Sequence, residues 1–256
     1  MPIEGILVCV DIVKKIQKYM KKMILCVFVL IFLVTTPAFG HKLITHSENH
    51  NSLETALAIP DHKISWVIYE NLEENSSKFY SFEAKKGDSF FASIIVPKIE
   101  GLEEYAPTLI VLDSRTTKKS NFDTEPQLPT QKFLYEKSFP GKEFYEPFGQ
   151  VTYWERQEVR ITIPSDGLYY LIVMDENNQS GKYSLAIGTI EDFSASDFVT
   201  VLPQAWFETK VFVNDYLTIG IFFFVLFILI SVSALVVRRM RSKKRLMQIK
   251  ENFSND

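Results

Sequence analysis

Hydrophobic and polar positions change rhythm three times along this chain. Residues 23–34 are an unbroken apolar run behind Lys14, Lys15, Lys18, Lys21 and Lys22. Between residues 64 and 187, apart from 108–112 and the irregular stretch 114–149, apolar positions tend to recur every second residue, the mark of strands with one buried face. Ile64, Trp66 and Ile68 alternate, and residues 79–82 and 89–96 are rich in Phe, Tyr and Ile. Residues 108–112 are continuously apolar and suit a central strand, while Val159, Ile161 and Ile163 alternate with Arg160 and Thr162. Residues 168–174 and 182–187 complete the series. Turn residues separate these runs at 85–88, 165–167 and 177–181. The third rhythm is a stretch without a single charge, residues 217–237.

Many short strands with turns between them predict an all-β fold, an antiparallel β-sandwich over residues 60–190. No stretch there has the period of a long amphipathic helix. Residues 114–149 carry Pro126, Pro129, Pro140 and Pro147 and read as long loops, with strands expected near 132–135 and 151–154. That stretch is also aromatic, with Tyr135, Phe139, Phe144, Tyr145, Phe148, Tyr153 and Trp154. Two roles are open to those rings: a patch for a ligand, or packing of the loops onto the sandwich.

The flanking runs set the topology. A lysine-rich lead, a short apolar core and the small-residue pattern Ala38-Phe39-Gly40 make residues 1–40 a secretory signal peptide, cleaved after Gly40. Met20 makes a compact start, so residues 1–19 read as an extension of the reading frame; an uncleaved signal anchor is the alternative. Residues 217–237 form a helix of about 31 Å, matching a hydrocarbon core of about 30 Å. Arg238, Arg239, Arg241, Lys243, Lys244 and Arg245 follow at once. Cationic flanks stay in the cytoplasm, so residues 238–256 are expected inside and residues 41–216 outside. Residues 41–59 read as a flexible, histidine-bearing mature terminus. Residues 191–216 read as an aromatic segment near the bilayer, with Ser196 and Asp197 opening a short helix that Pro203 interrupts.

A family pattern coincides with the strands. Residues 78–90 (KFYSFEAKKGDSF), 107–113 (PTLIVLD), 167–173 (GLYYLIV) and 180–187 (SGKYSLAI) resemble the bacterial and archaeal pre-peptidase C-terminal domain. The likeness covers residues 60–190, with an insertion in the middle. It implies a jelly-roll-like, non-catalytic accessory module of secreted and surface proteins. No protease domain accompanies it here.

Charge is unevenly divided. The whole chain has a net charge of −3, but residues 41–216 hold 27 of the 31 acidic residues against 16 basic ones, a net of −11. An acidic exterior repels phosphate backbones and argues against nucleic acid as a partner. The expected partners are the lipid bilayer and a protein or envelope ligand. Cys9 and Cys26 are the only cysteines, and both precede the expected cleavage point, so a disulfide framework is excluded from the exterior.

No nucleophile elbow, phosphate loop or dinucleotide fingerprint occurs, and an enzyme is not expected. All four histidines lie early, at 41, 46, 50 and 62. With cleavage after Gly40, the amine and ring of His41 would present nitrogens to Cu(II), and His46 or His50 would add another. The alternatives are therefore no cofactor, with incidental histidines on a polar terminus, or copper at His41, His46 and His50. Asp113, Asp123, Asp175 and Glu176 lie near turns without the spacing of a calcium loop. Asn75 and Asn178 begin glycosylation sequons in expected surface turns.

Overall fold

A computed structural model describes residues 41–47, 49–117 and 131–254. The expected signal peptide, Cys9, Cys26 and Asp123 lie outside these residues.

Among the described residues, eleven strands form two sheets. The first sheet has the order β1 (Lys42–Leu43), β3 (Trp66–Leu72), β11 (Gly181–Ile187), β5 (Ser89–Pro97), β9 (Val151–Thr162), β8 (Glu143–Glu146). The second has the order β2 (Leu57–Ala58), β4 (Ser77–Ala84), β10 (Gly167–Met174), β6 (Thr108–Asp113), β7 (Gln131–Phe133). The ladders are antiparallel except for two edge pairs, β1 with β3 and β2 with β4, which are parallel. Helix α1 (Ser114–Thr117) follows β6.

Alternation in the sequence becomes alternation of faces. Ile68, Leu72, Tyr80, Phe82, Phe90, Ile94, Leu109, Leu171 and Leu185 point between the sheets and are fully or almost fully buried. Phe82 stacks on Phe90 at 4.5 Å and on Tyr169 at 5.6 Å, joining the two layers. Strand β9 is one long strand where two short ones were expected. Its register shifts opposite Ser93 and Ile95, and the buried Arg156 and Gln157 break the apolar pattern at that point. The Arg156 guanidinium donates to the carbonyls of Tyr105, Pro140 and Glu103, which fastens the loops on either side of it.

The segment expected as a flexible terminus pairs with both sheets. Lys42 and Leu43 pair with Trp66 and Val67 on the edge of the first sheet, and Leu57 and Ala58 pair with Tyr80 and Ser81 on the edge of the second. The two ends of the segment between β1 and β2 therefore lie at the edges of different sheets. Each anchor is two residues long, so tertiary pairing rather than local propensity creates it.

Beyond Ile190 the chain also returns to the sandwich. Helix α2 (Val201–Phe212) lays Ala205, Thr209 and Lys210 against the outer face of the first sheet. Pro203 sits in its first turn, where the missing N–H is tolerated, so the helix is not interrupted. Thr209 donates its hydroxyl to the Ala205 carbonyl and receives the Tyr69 hydroxyl at 2.7 Å. Tyr69 also stacks on Phe212 at 4.7 Å. Lys182 donates to the Phe212 carbonyl and to Asn214 at the end of the helix, where a cation is favoured. This docking explains why Ser184 and Ala186, on the outward side of β11, are buried. Trp206 meets Phe222 at 5.0 Å and links α2 to α3 (Tyr216–Ser254). In α3, residues 216–239 form a window of 24 residues with mean hydropathy 2.9, and none of it is buried against the rest of the chain.

Candidate functional site

The most concentrated polar chemistry lies where the segment between β1 and β2 meets β3. Residues 68, 70 and 72 share the inward face of that strand, and the middle one is Glu70 rather than an apolar residue. Burying a lone carboxylate is costly unless it finds partners, so its surroundings carry information. Glu70 is 2% exposed. His50 Nε2 lies 2.7 Å from its Oε1, His46 Nε2 lies 3.2 Å from the same oxygen, and the Tyr80 hydroxyl donates to it at 3.1 Å. Tyr183 continues the chain, with its hydroxyl 2.9 Å from that of Tyr80. The second oxygen, Oε2, receives no hydrogen bond among the described residues, and Lys78 Nζ stands 3.9 Å from it. Burial first, and the neighbouring charge and hydroxyls after it, push the Tyr80 phenol well above its ordinary range. Burial does the same for Tyr183.

The imidazoles are held on their far sides as well. Both Nδ1 atoms face the Ser47 carbonyl, at 3.3 Å for His46 and 3.2 Å for His50. The rings meet edge to face at 4.8 Å. His46, His50 and Glu70 each offer one ligand atom, and all three atoms lie within 4.8 Å of one another.

His41 stands apart from this group. Its Nδ1 lies 2.6 Å from the Ser65 hydroxyl, beside the packed surface of α2. His62 is buried near Asp88, 3.6 Å from its Oδ2, with Nδ1 3.0 Å from the Glu83 carbonyl. Burial is the main cause that lowers its pKa, while Asp88 pulls the other way. The carboxylates near turns have local partners: Asp113 pairs with Arg115, and Asp175 caps the backbone N–H groups of Asn177 and Gln179. Asn75 and Asn178 are exposed and occupy left-handed turn positions, at φ 57° and 56°. Close to Asn178, Glu74, Glu103, Glu104 and Tyr105 line an acidic depression of about 580 Å³.

The aromatic middle of the chain divides into two populations. Tyr153 and Trp154 are packed inside, whereas Phe139, Phe144 and Tyr145 remain exposed, the last by 57%. Tyr135 and Phe139 flank the Arg156 guanidinium at 5.1 and 5.4 Å.

Sequence reasoning placed His46 and His50 in a candidate site but missed Glu70. The signal was present: a glutamate at an inward position of an alternating strand, two residues from Ile68 and two from Leu72.

No protein-family model matches the chain, and no curated protein matches it. Solved structures give distant likenesses. The pre-peptidase C-terminal domain of a collagenase from Bacillus anthracis aligns at 15% identity and TM-score 0.30, covering 56% of this chain and 97% of that one. PliG from Aeromonas hydrophila, a periplasmic inhibitor of g-type lysozyme, aligns at 10% identity and TM-score 0.29, covering 58% of this chain and 94% of that one. CorA, a surface-associated copper-binding protein of Methylomicrobium album BG8, aligns at 12% identity and TM-score 0.27, covering 53% and 98%. These are likenesses between β-sandwich proteins, and none of the three activities transfers to this chain.

Proposed function

We propose that this protein is anchored in the cell membrane by α3 and displays its sandwich outside the cell as a non-catalytic binding or structural module. In this reading residues 1–40 are the cleaved leader, residues 217–237 cross the bilayer and the tail from Arg238 lies in the cytoplasm. The observation that carries it is the window at residues 216–239, which is long, apolar and left uncovered by the folded part. In water, that surface would have to be buried, because it far exceeds the apolar patches that soluble proteins expose. Lipid covers it without any protein partner. The cationic cluster directly after it supports the direction of insertion.

The rest of the chain suits a module that makes contacts rather than bonds. Its strands pass between the two sheets of the sandwich except at β6–β7 and β8–β9, which stay in one sheet. The exposed Leu134, Phe139, Phe144 and Tyr145, with the acidic depression beside Glu103 and Glu104, offer an envelope or protein ligand both apolar and negative surface. An accessory subunit of a membrane complex fits the same features. The acidic exterior speaks against nucleic acid. Asn75 and Asn178 are accessible to glycan attachment where the host performs it.

Placing two arginines in the span tests the anchor. Leu226→Arg with Ile230→Arg adds roughly 3 kcal/mol per charge to insertion at the helix centre. The wild type is expected to stay with membranes through alkaline extraction and the double variant to enter the soluble fraction. Extraction of the wild type would refute the proposal.

A further inference from the structure

We infer that His46, His50 and Glu70 form a binding site for a divalent first-row transition ion of the zinc or copper(II) class. The inference goes beyond the anchoring role and stands without it.

A neutral imidazole has one N–H and one bare nitrogen. In this cluster all four ring nitrogens face oxygen acceptors: the Ser47 carbonyl at Nδ1 of both rings, Glu70 Oε1 at both Nε2 atoms, and the Tyr69 carbonyl 3.3 Å from Nε2 of His46. With neutral rings, one nitrogen of each points a lone pair at an oxygen.

A metal ion removes the conflict at one point. Nδ1–H of each ring then donates to Ser47, and the two Nε2 lone pairs and Glu70 Oε1 turn to the ion. Histidines that bind metals characteristically donate their other N–H to a backbone carbonyl or carboxylate, which fixes the tautomer and the ring. Here one carbonyl serves both rings. The Tyr80 hydroxyl, donating to Glu70 Oε1, orients the carboxylate in the same way. The glutamate is inaccessible, and its second oxygen lacks a hydrogen bond among the described residues. Two imidazoles and one carboxylate select zinc, copper(II) and their neighbours over magnesium and calcium, which prefer oxygen donors throughout. Thiolate-seeking copper(I) has no cysteine among the described residues. His46 is the outermost ligand, its side chain 9% exposed, and gives the ion its way in.

The ion also has a structural consequence. Two of its ligands lie on the segment between β1 and β2 and the third on β3, so binding pins that segment to the sheet.

The test uses the full chain in detergent micelles after chelator treatment, titrated by calorimetry with Zn²⁺ and followed by visible absorption with Co²⁺. The wild type is expected to bind one equivalent of Zn²⁺, to show ligand-field bands with Co²⁺, and to ignore Mg²⁺ and Ca²⁺. His46→Ala and His50→Gln are each expected to weaken binding more than about tenfold and remove the bands. His41→Ala is expected to change neither. His46→Ala alters a position close to solvent, so it remains informative if His50→Gln fails to fold. Tryptophan emission and far-ultraviolet circular dichroism report folding in each case. Failure of folded wild type to bind Zn²⁺, retention of wild-type affinity in folded His46→Ala, or a loss confined to His41→Ala would each overturn the inference.

Discussion

Replacing Tyr80 with phenylalanine should cost distinctly more stability than replacing Tyr183, although each change deletes one buried hydroxyl from the same chain of hydrogen bonds. Tyr80 donates to Glu70 and accepts from Tyr183. In Tyr183→Phe the bond to the carboxylate survives, and the loss is one neutral hydrogen bond, about 1 kcal/mol. In Tyr80→Phe a hydrogen bond to a charged acceptor disappears, worth about 1.5–3 kcal/mol, and the Tyr183 hydroxyl is stranded in the core at about 1–3 kcal/mol more. The expected costs are therefore about 1 and about 2.5–6 kcal/mol. With a urea slope of about 2 kcal/mol/M, the midpoints should fall by roughly 0.5 M and about 1.2–3 M. The double variant leaves no stranded hydroxyl and should lose less than the sum of the single ones. Metal-free protein in micelles, unfolded in urea and followed by tryptophan emission, to which the buried Trp154 contributes, supplies the measurement. Equal losses for the two single variants, or strict additivity in the double, would refute the reasoning that Tyr80 is the link between the carboxylate and Tyr183.

Two other expectations follow from the sandwich. Gly188→Ala should destabilise by about 2–4 kcal/mol, because φ is +73° there and a Cβ would run into the carbonyl of Ile64. Gly87→Ala, at φ +89° with open space around it, should cost only the left-handed strain of about 1–2 kcal/mol; urea midpoints of the two variants check the contrast. His62 should make stability fall on acidification. Burial among Phe82 and Phe90 lowers its folded pKa below the ordinary 6.5, against the opposing pull of Asp88 and Asp61, while Lys63 acts with burial. The unfolded chain takes up that proton more readily, so the contribution is present above 6.5 and drains away as the pH falls through it. The midpoint of His62→Gln between about pH 7.5 and 5.5 should vary less than that of the wild type.

The period-two runs around Ile68, Phe82, Ile94 and Leu171 made the sandwich legible because burial of one face writes itself into alternate residues. The apolar window of α3 was legible as well, since no charge interrupts residues 217–237. The segment between β1 and β2 was not. Lys42, Leu43, Leu57 and Ala58 have no strand pattern, and their conformation comes from the edges they pair with. The docking of α2 was hidden too. Its aromatic residues suggested the bilayer, yet Phe212 stacks on Tyr69, and the other contacts that hold the helix are made by Ala205, Thr209 and the end of Lys182, none of which is conspicuous in a sequence. His46 and His50 drew attention by composition. Their partner Glu70 is twenty residues further on than His50, and only the strand alternation around it could have pointed inward.

Orientation across the membrane is the central claim, and cysteine labelling measures it most directly. In a chain with Cys9 and Cys26 replaced by alanine, one cysteine is introduced at Asn75 or at Arg245, and intact cells are treated with a membrane-impermeant maleimide. Asn75→Cys is expected to label at once, and Arg245→Cys only after permeabilisation. Labelling of Arg245→Cys in intact cells, with Asn75→Cys protected, would contradict the account.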